Sequence, residues 1–113
     1  MTDNTTISQH GANTYVTLHV YDDDKPNTLT INRDGFAQYR KDIHVVTFDT
    51  RGNVILRTAG YYTATTKRRM NEAADHYGLG FRVIQRSKQW RVVFADGRAD
   101  QPFGSDGWVY FRR

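Results

Sequence analysis

The sequence predicts an α+β domain, an antiparallel sheet of short hairpins with one main amphipathic helix packed on it. Two observations carry that prediction. Several runs alternate apolar and polar residues with the period of a half-buried strand, and glycine, asparagine or aspartate separates them. One stretch instead repeats its apolar residues at helical spacing, between a hydroxyl-bearing start and a glycine stop. The resulting order is ββ(α)ββαβββ.

The opening residues 1–13, "MTDNTTISQHGAN", carry neither a charged n-region nor an apolar run and read as a flexible polar leader, leaving 14–113 as a single domain. "TYVTLHVY" then places Val16, Leu18 and Val20 on one face and Tyr15, Thr17, His19 and Tyr21 on the other. "DDDKPN" breaks the chain, and "TLTIN" returns with Leu29 and Ile31 inward, which reads as a first hairpin with a long loop. In "RDGFAQYRKD", Phe36, Tyr39 and Arg40 fall at helical spacing and predict a helical turn or two. "IHVVTFDTRGNVILRT" reads as a second hairpin that turns at Arg51, Gly52 and Asn53.

The main helix is predicted from about Thr66 to Tyr77. Met70, Ala73, Ala74 and Tyr77 recur at i, i+3, i+4 and i+7, one narrow apolar stripe. Thr65 or Thr66 supplies the N-cap hydroxyl, and Gly78 followed by Leu79 reads as a Schellman-type stop. "FRVIQRSKQWRVVF" is a third hairpin with Phe81, Val83, Trp90, Val92 and Phe94 inward. Asp-Gly turns at 96–97 and 106–107 bracket a loop containing Pro102, before a last strand "WVYFRR". The expected core gathers Leu18, Val20, Leu29, Ile31, Val46, Phe48, Met70, Ala74, Val83, Val92 and Phe94.

A chain of 113 residues fits one domain with its own core. The absence of cysteine excludes disulfides, thiolate metal sites and thiol nucleophiles and suits a reducing interior, so a cytoplasmic location is expected. No apolar stretch approaches the roughly 18 residues of a membrane span, and no membrane partner is expected. The catalytic inventory is thin. "GSDG" at 104–107 lacks the spacing of a nucleophile elbow and reads as a turn. His10, His19, His44 and His76 are scattered without a pair at ligand spacing, and Asp22 to Asp24 lack the glycine and glutamate of an EF-hand loop. These features point to a non-enzymatic protein with no metal and no cofactor.

Charge is the stronger signal. The net +4 is uneven: residues 1–50 sum to −3, residues 51–94 to +7 and residues 95–113 to zero. Lys67, Arg68 and Arg69 open the helix, where a cation opposes the macrodipole at a cost of roughly 0.3–1 kcal/mol when exposed. Three together invite an anion. The hydroxyls of Thr65 and Thr66 and the unpaired N–H groups of the first turn complete the ingredients of a phosphate site. Alternation in the third hairpin adds Arg82, Arg86 and Arg91 on its outer face, with Tyr61 and Tyr62 nearby as base-stacking groups. Against this anion-facing surface stands the plainer reading, in which the Asp-rich first half folds back onto these arginines as surface pairs.

The segment "YYTATTKRRMNEA" resembles a short motif of small phage-encoded accessory proteins, in which tyrosine, serine or threonine, a variable residue and Thr-Thr precede basic residues that open a helix. Thr63 stands where serine is expected and Arg69 where histidine is. The resemblance implies a binder that blocks host defence or transcription machinery, anti-CRISPR proteins among them, acting in the host cytoplasm. Two readings stay open: an inhibitor docking its basic surface on an acidic or nucleic-acid-binding host complex, and a module contacting nucleic-acid phosphates directly. Edge strands leave a homodimer open as well.

Overall fold

A computed structural model describes residues 5–21, 28–31 and 37–113, with 21, 28–31 and 37–41 described in backbone pairing alone. The strands are β1 (Thr5–His10), β2 (Asn13–Tyr21), β3 (Thr28–Ile31), β4 (Ala37–Asp49), β5 (Asn53–Arg57), β6 (Phe81–Arg86), β7 (Gln89–Phe94), β8 (Gln101–Pro102) and β9 (Trp108–Arg112). One helix, α1 (Ala64–Tyr77), lies between β5 and β6. The chain is an α+β fold of two antiparallel sheets. The larger runs β1-β2-β4-β5-β9, with β3 also on β4, and the smaller runs β6-β7-β8.

Three sequence expectations change. Residues 5–10, read as part of a leader, form β1 and pair along β2 from Thr5↔Leu18 to His10↔Asn13. Residues 37–40, read as a helical turn, belong to the 13-residue strand β4. No hairpin joins β2 to β3, because both pair with β4. A strand flanked on both sides is fixed by its partners, and that outweighs a three-residue helical spacing. Phe36 and the loop 22–24 lie outside the described residues, as do the side chains of Leu29 and Ile31.

β4 also carries a bulge. Val16 pairs with Val46 but Thr17 pairs with His44, so Val45 is the extra residue. It restores the inward phase, and Ile43, Val45 and Val46 are all buried although strict alternation allows only two of them. Val16, Leu18, Val54, Leu56, Val109 and Phe111 complete the inner face of the large sheet, and Met70, Ala73 and Ala74 of the helix bury with it. The β6–β7 hairpin turns at Ser87 and Lys88, both left-handed at φ 51° and 65°, which suits a two-residue turn. Its inner residues Phe81, Val83, Trp90, Val92 and Phe94 are buried as expected. Phe111 joins the two sheets, with its ring 5.3 Å from Phe81 and 4.9 Å from Phe94. Val20 and Phe48 pack against the core from partly buried positions.

The helix is capped earlier than expected, at Thr63. This residue, in an extended conformation, accepts the Thr66 N–H at 3.2 Å, and Lys67 N–H bonds the Thr63 carbonyl at 3.1 Å. At the other end Gly78 adopts the left-handed conformation and Leu79 N–H reaches the Ala74 carbonyl at 2.9 Å, the expected stop. One edge of each sheet, β6 in the small sheet and β9 in the large, is capped by groups from outside the ladders. Asn71 acts as a substitute strand for β6, accepting the Val83 N–H at 2.7 Å and donating to the Val83 carbonyl at 3.1 Å. Along β9, the Trp108, Tyr110 and Arg112 carbonyls accept from Gly104 N–H, Gln101 Nε2 and Arg98 Nη1.

Candidate functional site

The predicted basic surface divides when its residues are placed. Arg69 points inward and is 5 % exposed. Its Nε donates to Thr5 Oγ1 at 3.1 Å, and its Nη1 reaches both Glu72 carboxylate oxygens at 3.1 Å. Thr66 is fully buried, with its hydroxyl 3.0 Å from that of Thr63, and so belongs to the cap rather than to an anion site. Thr65 is half-buried, Lys67 half-buried and Arg68 exposed. The two cations make no ion pair with a described carboxylate. Of the expected triplet, then, Lys67 and Arg68 keep their charge available and Arg69 does not.

The hairpin arginines do share the outer face of β6 and β7, but each has a carboxylate. Arg82 meets Asp75 at 3.4 Å, and Arg86 and Arg91 converge on Asp100 at 3.6 and 2.7 Å. The Arg91 hydrogen bond, with the charge of Arg91 and Arg86 behind it, holds the Asp100 carboxyl below its ordinary value. The compensating acids come from the second half of the chain, not from the Asp-rich first half. Arg68→Gln is therefore expected to leave stability within about 0.5 kcal/mol. Arg69→Gln, which strips Thr5 and Glu72 of their donor, should cost about 1–3 kcal/mol. Urea titration of the two single variants checks the difference.

Further cations without a described carboxylate lie elsewhere. Among the described residues, Arg57 and Arg112 form no ion pair; Arg112 donates to the Arg51 carbonyl at 3.1 Å, which leaves its charge unneutralised. Because Val54, Leu56, Val109 and Phe111 point inward, alternation sends Ile55, Arg57, Trp108, Tyr110 and Arg112 to the outer face of the large sheet. Trp108 is 44 % exposed and Tyr110 47 %. Arg57 pairs with Trp108 across the strands, and Ile55 with Tyr110. The row extends through Thr47 to Tyr15, whose ring is 4.9 Å from His44 and 5.9 Å from His10. Tyr110 is oriented by its hydroxyl, which donates to Asn53 Oδ1 at 2.6 Å. The acids on the rim are engaged. Asp49 accepts from Asn53 Nδ2 and from the Asn53 and Arg51 N–H groups, which keeps its carboxyl low, and Asp106 accepts the Trp108 indole N–H.

The expected stacking pair also separates. Tyr61 packs against the core, whereas Tyr62 is 48 % exposed and borders a recess with Trp90 and Phe103. Sequence reading missed one arrangement entirely. Thr6, His19 and Asp42, on three neighbouring strands, form a hydroxyl–imidazole–carboxylate line of 3.0 and 2.7 Å on the outer face. Nothing in the linear spacing of these residues signals it, since the pairing of β1 and β4 with β2 creates it. Sheet N–H groups point along the ladders rather than out of the face, so the backbone of the described strands aims no oxyanion donor at the Thr6 hydroxyl. The line ties three strands together. Among the described residues no three metal-ligating side chains converge, and no helix is long and apolar enough to cross a membrane.

No protein-family model, curated protein or solved structure matches the chain.

Proposed function

We propose that this domain is a non-enzymatic binding module for single-stranded nucleic acid, held on the outer face of the large sheet. One observation carries the reading: Trp108 and Tyr110 stand exposed at alternate positions of β9, beside Arg57 and Arg112, which have no described carboxylate. Stacked bases suit such rings, and bidentate guanidinium groups suit phosphates. Ordinary surfaces pair a cation with a nearby acid, as Arg82, Arg86, Arg91 and Arg98 do here. The domain would act in the cytoplasm, that of the host if it is phage-encoded.

Titration of the full chain with a fluorescent oligothymidylate tests the reading. Trp108→Ala should weaken binding by about 1–3 kcal/mol. Replacing Arg57 or Arg112 with Gln should reduce the slope of log K against log salt by about 0.7 for each phosphate no longer neutralised. Binding that survives all three changes would overturn the proposal. The oligonucleotide should not be hydrolysed, and cleavage abolished by Asp42→Asn would count against a non-enzymatic role. An inhibitor that docks on an acidic host protein would use the same cations. Capture from host lysate with and without nuclease separates the two, because only the protein partner survives the nuclease. Capping of the β9 edge leaves β1 and β3 as the edges of the large sheet, among the described residues, for any two-fold pairing.

A further inference from the structure

We infer that the recess between Tyr62, Trp90 and Phe103 takes one nucleotide, with its base against the three rings and its phosphate on Lys88. The inference rests on the nucleic-acid reading above and adds a second, separable site to it. The recess encloses about 320 Å³ and is lined by Tyr62, Gln85, Lys88, Gln89, Trp90, Pro102 and Phe103. That is near the lower limit for small-ligand pockets, the scale of one base and its sugar rather than a longer segment.

The walls are fixed before any ligand arrives. Trp90 is 6 % exposed, and the rings of Tyr62 and Phe103 stand nearly perpendicular to it, at 5.2 Å and 82° and at 5.8 Å and 86°. Phe103 is tied to β7 by its N–H to the Trp90 carbonyl at 3.2 Å, next to the pairing of Pro102 with Arg91. Tyr62 is held between the Tyr61 N–H bond to the Thr58 carbonyl and the cap at Thr63. Rings packed edge to face in this way leave no gap for a base between them, but they lose little conformational freedom when a base packs against their exposed sides.

The polar groups select the ligand. Gln85 and Gln89 supply two amides, each able to donate and accept, which suits the mixed edge of a base. Among the described lining residues Lys88 brings the one charge, on a flexible stem that starts from a two-residue turn with left-handed backbone. Among the described residues no carboxylate lines the recess, so a quaternary ammonium would meet aromatic rings but also a repelling lysine. An anion on a flat ring satisfies all of these groups. The recess lies near the start of β9: the Tyr62 hydroxyl is 3.4 Å from where a Cβ on Gly107 would sit, and Gly107 precedes Trp108. One base of a strand lying along Trp108 and Tyr110 can therefore turn over the Gly104–Gly107 corner into it.

The test is a titration of the 15N-labelled full chain with adenosine, cytidine, guanosine and uridine 5′-monophosphates and with the matching nucleosides. The indole N–H signals of Trp90 and Trp108 report the two places separately. Nucleotides should shift Trp90 at lower concentration than Trp108, whose single exposed ring offers one stacking face and no enclosed walls. Lys88→Gln should weaken nucleotides about tenfold and nucleosides little, since it removes only the cation that faces the phosphate. Tyr62→Ala, at a half-exposed position, should weaken both by about tenfold. If Trp90 does not respond while oligonucleotides still bind through Trp108, the recess is not a base site and the outer-face reading stands. If neither signal responds to mononucleotide or oligonucleotide, both readings fall. A shift of Trp90 by a proline-rich peptide and not by nucleotides would overturn the inference in favour of a peptide groove.

Discussion

Met70→Asp should abolish the fold. Met70 is fully buried, at the centre of the stripe that α1 lays across both sheets, with Ala73 and Ala74 beside it. The substitution removes a large apolar side chain, a loss that alone costs about 2–5 kcal/mol in a core. It also sets a carboxylate where it has no partner, and such a group either ionises at a penalty of several kcal/mol or takes up a proton. The sum is comparable to the whole stability of a domain of this size, about 5–15 kcal/mol. Circular dichroism and one-dimensional NMR should show loss of cooperative melting at neutral pH. A variant melting within a degree or two of the parent would place residue 70 on the surface and contradict the packing of α1. Met70→Leu is the control and should cost less than about 1.5 kcal/mol.

Gly107→Ala should be the most damaging change of a single methyl group. Gly107 sits at φ 84°, in the left-handed region, and a Cβ there would lie 2.5 Å from the Thr58 hydroxyl oxygen. Thr58 is fully buried and cannot step aside. Its hydroxyl donates to the Gly107 carbonyl at 3.1 Å and accepts the Gly60 N–H at 3.3 Å, while its own N–H bonds the same Gly107 carbonyl at 2.8 Å. Backbone strain of about 1–2 kcal/mol and the loss of one or two of these bonds give an expected cost of about 2–4 kcal/mol. Thr58→Ala removes the oxygen that collides. The two changes should therefore be less than additive, by about 1 kcal/mol, in a double-mutant cycle followed by urea denaturation. Full additivity would mean that the collision is relieved by movement of the 104–107 turn.

What could be read from the sequence was local. The third hairpin follows from the alternation around Ser87 and Lys88, and the helix from its stripe and Gly78, because each signal and its structural cause lie within a few residues. Pairing partners far along the chain were not legible. β1 holds its place through β2, and the outward row from Tyr15 to Tyr110 crosses four strands whose order no spacing encodes. The burial of Arg69 was partly visible. It lies three residues after Thr66 and four before Ala73, inside the apolar stripe, with Glu72 one turn on to receive it. A run of three basic residues drew attention to charge and away from that phase. In the sequence Trp108 and Tyr110 are only members of a last strand. Their exposure follows only once Val109 and Phe111 are seen to face the aromatic cluster with Phe81 and Phe94.

The pairing of β5 with β9 has a consequence for synthesis. Arg57 aligns with Trp108, although the helix and the whole small sheet are encoded between them. At about 5–20 residues per second, a ribosome needs several seconds to deliver β9 after β5 has emerged. For that interval β5 can bond β4 on one side but has no neighbour on the other, and Val54 and Leu56 lack the cover that α1 and the small sheet later supply. The nascent chain therefore passes through a window in which the middle of its own sheet is an edge, open to other chains. Arg57 at the end of that strand and the Asp49–Asn53 turn at its start place polar groups on both flanks of the exposed apolar stretch. Slowing translation after residue 57 should lengthen the window, and chaperone capture of stalled chains should peak between the emergence of β5 and that of β9.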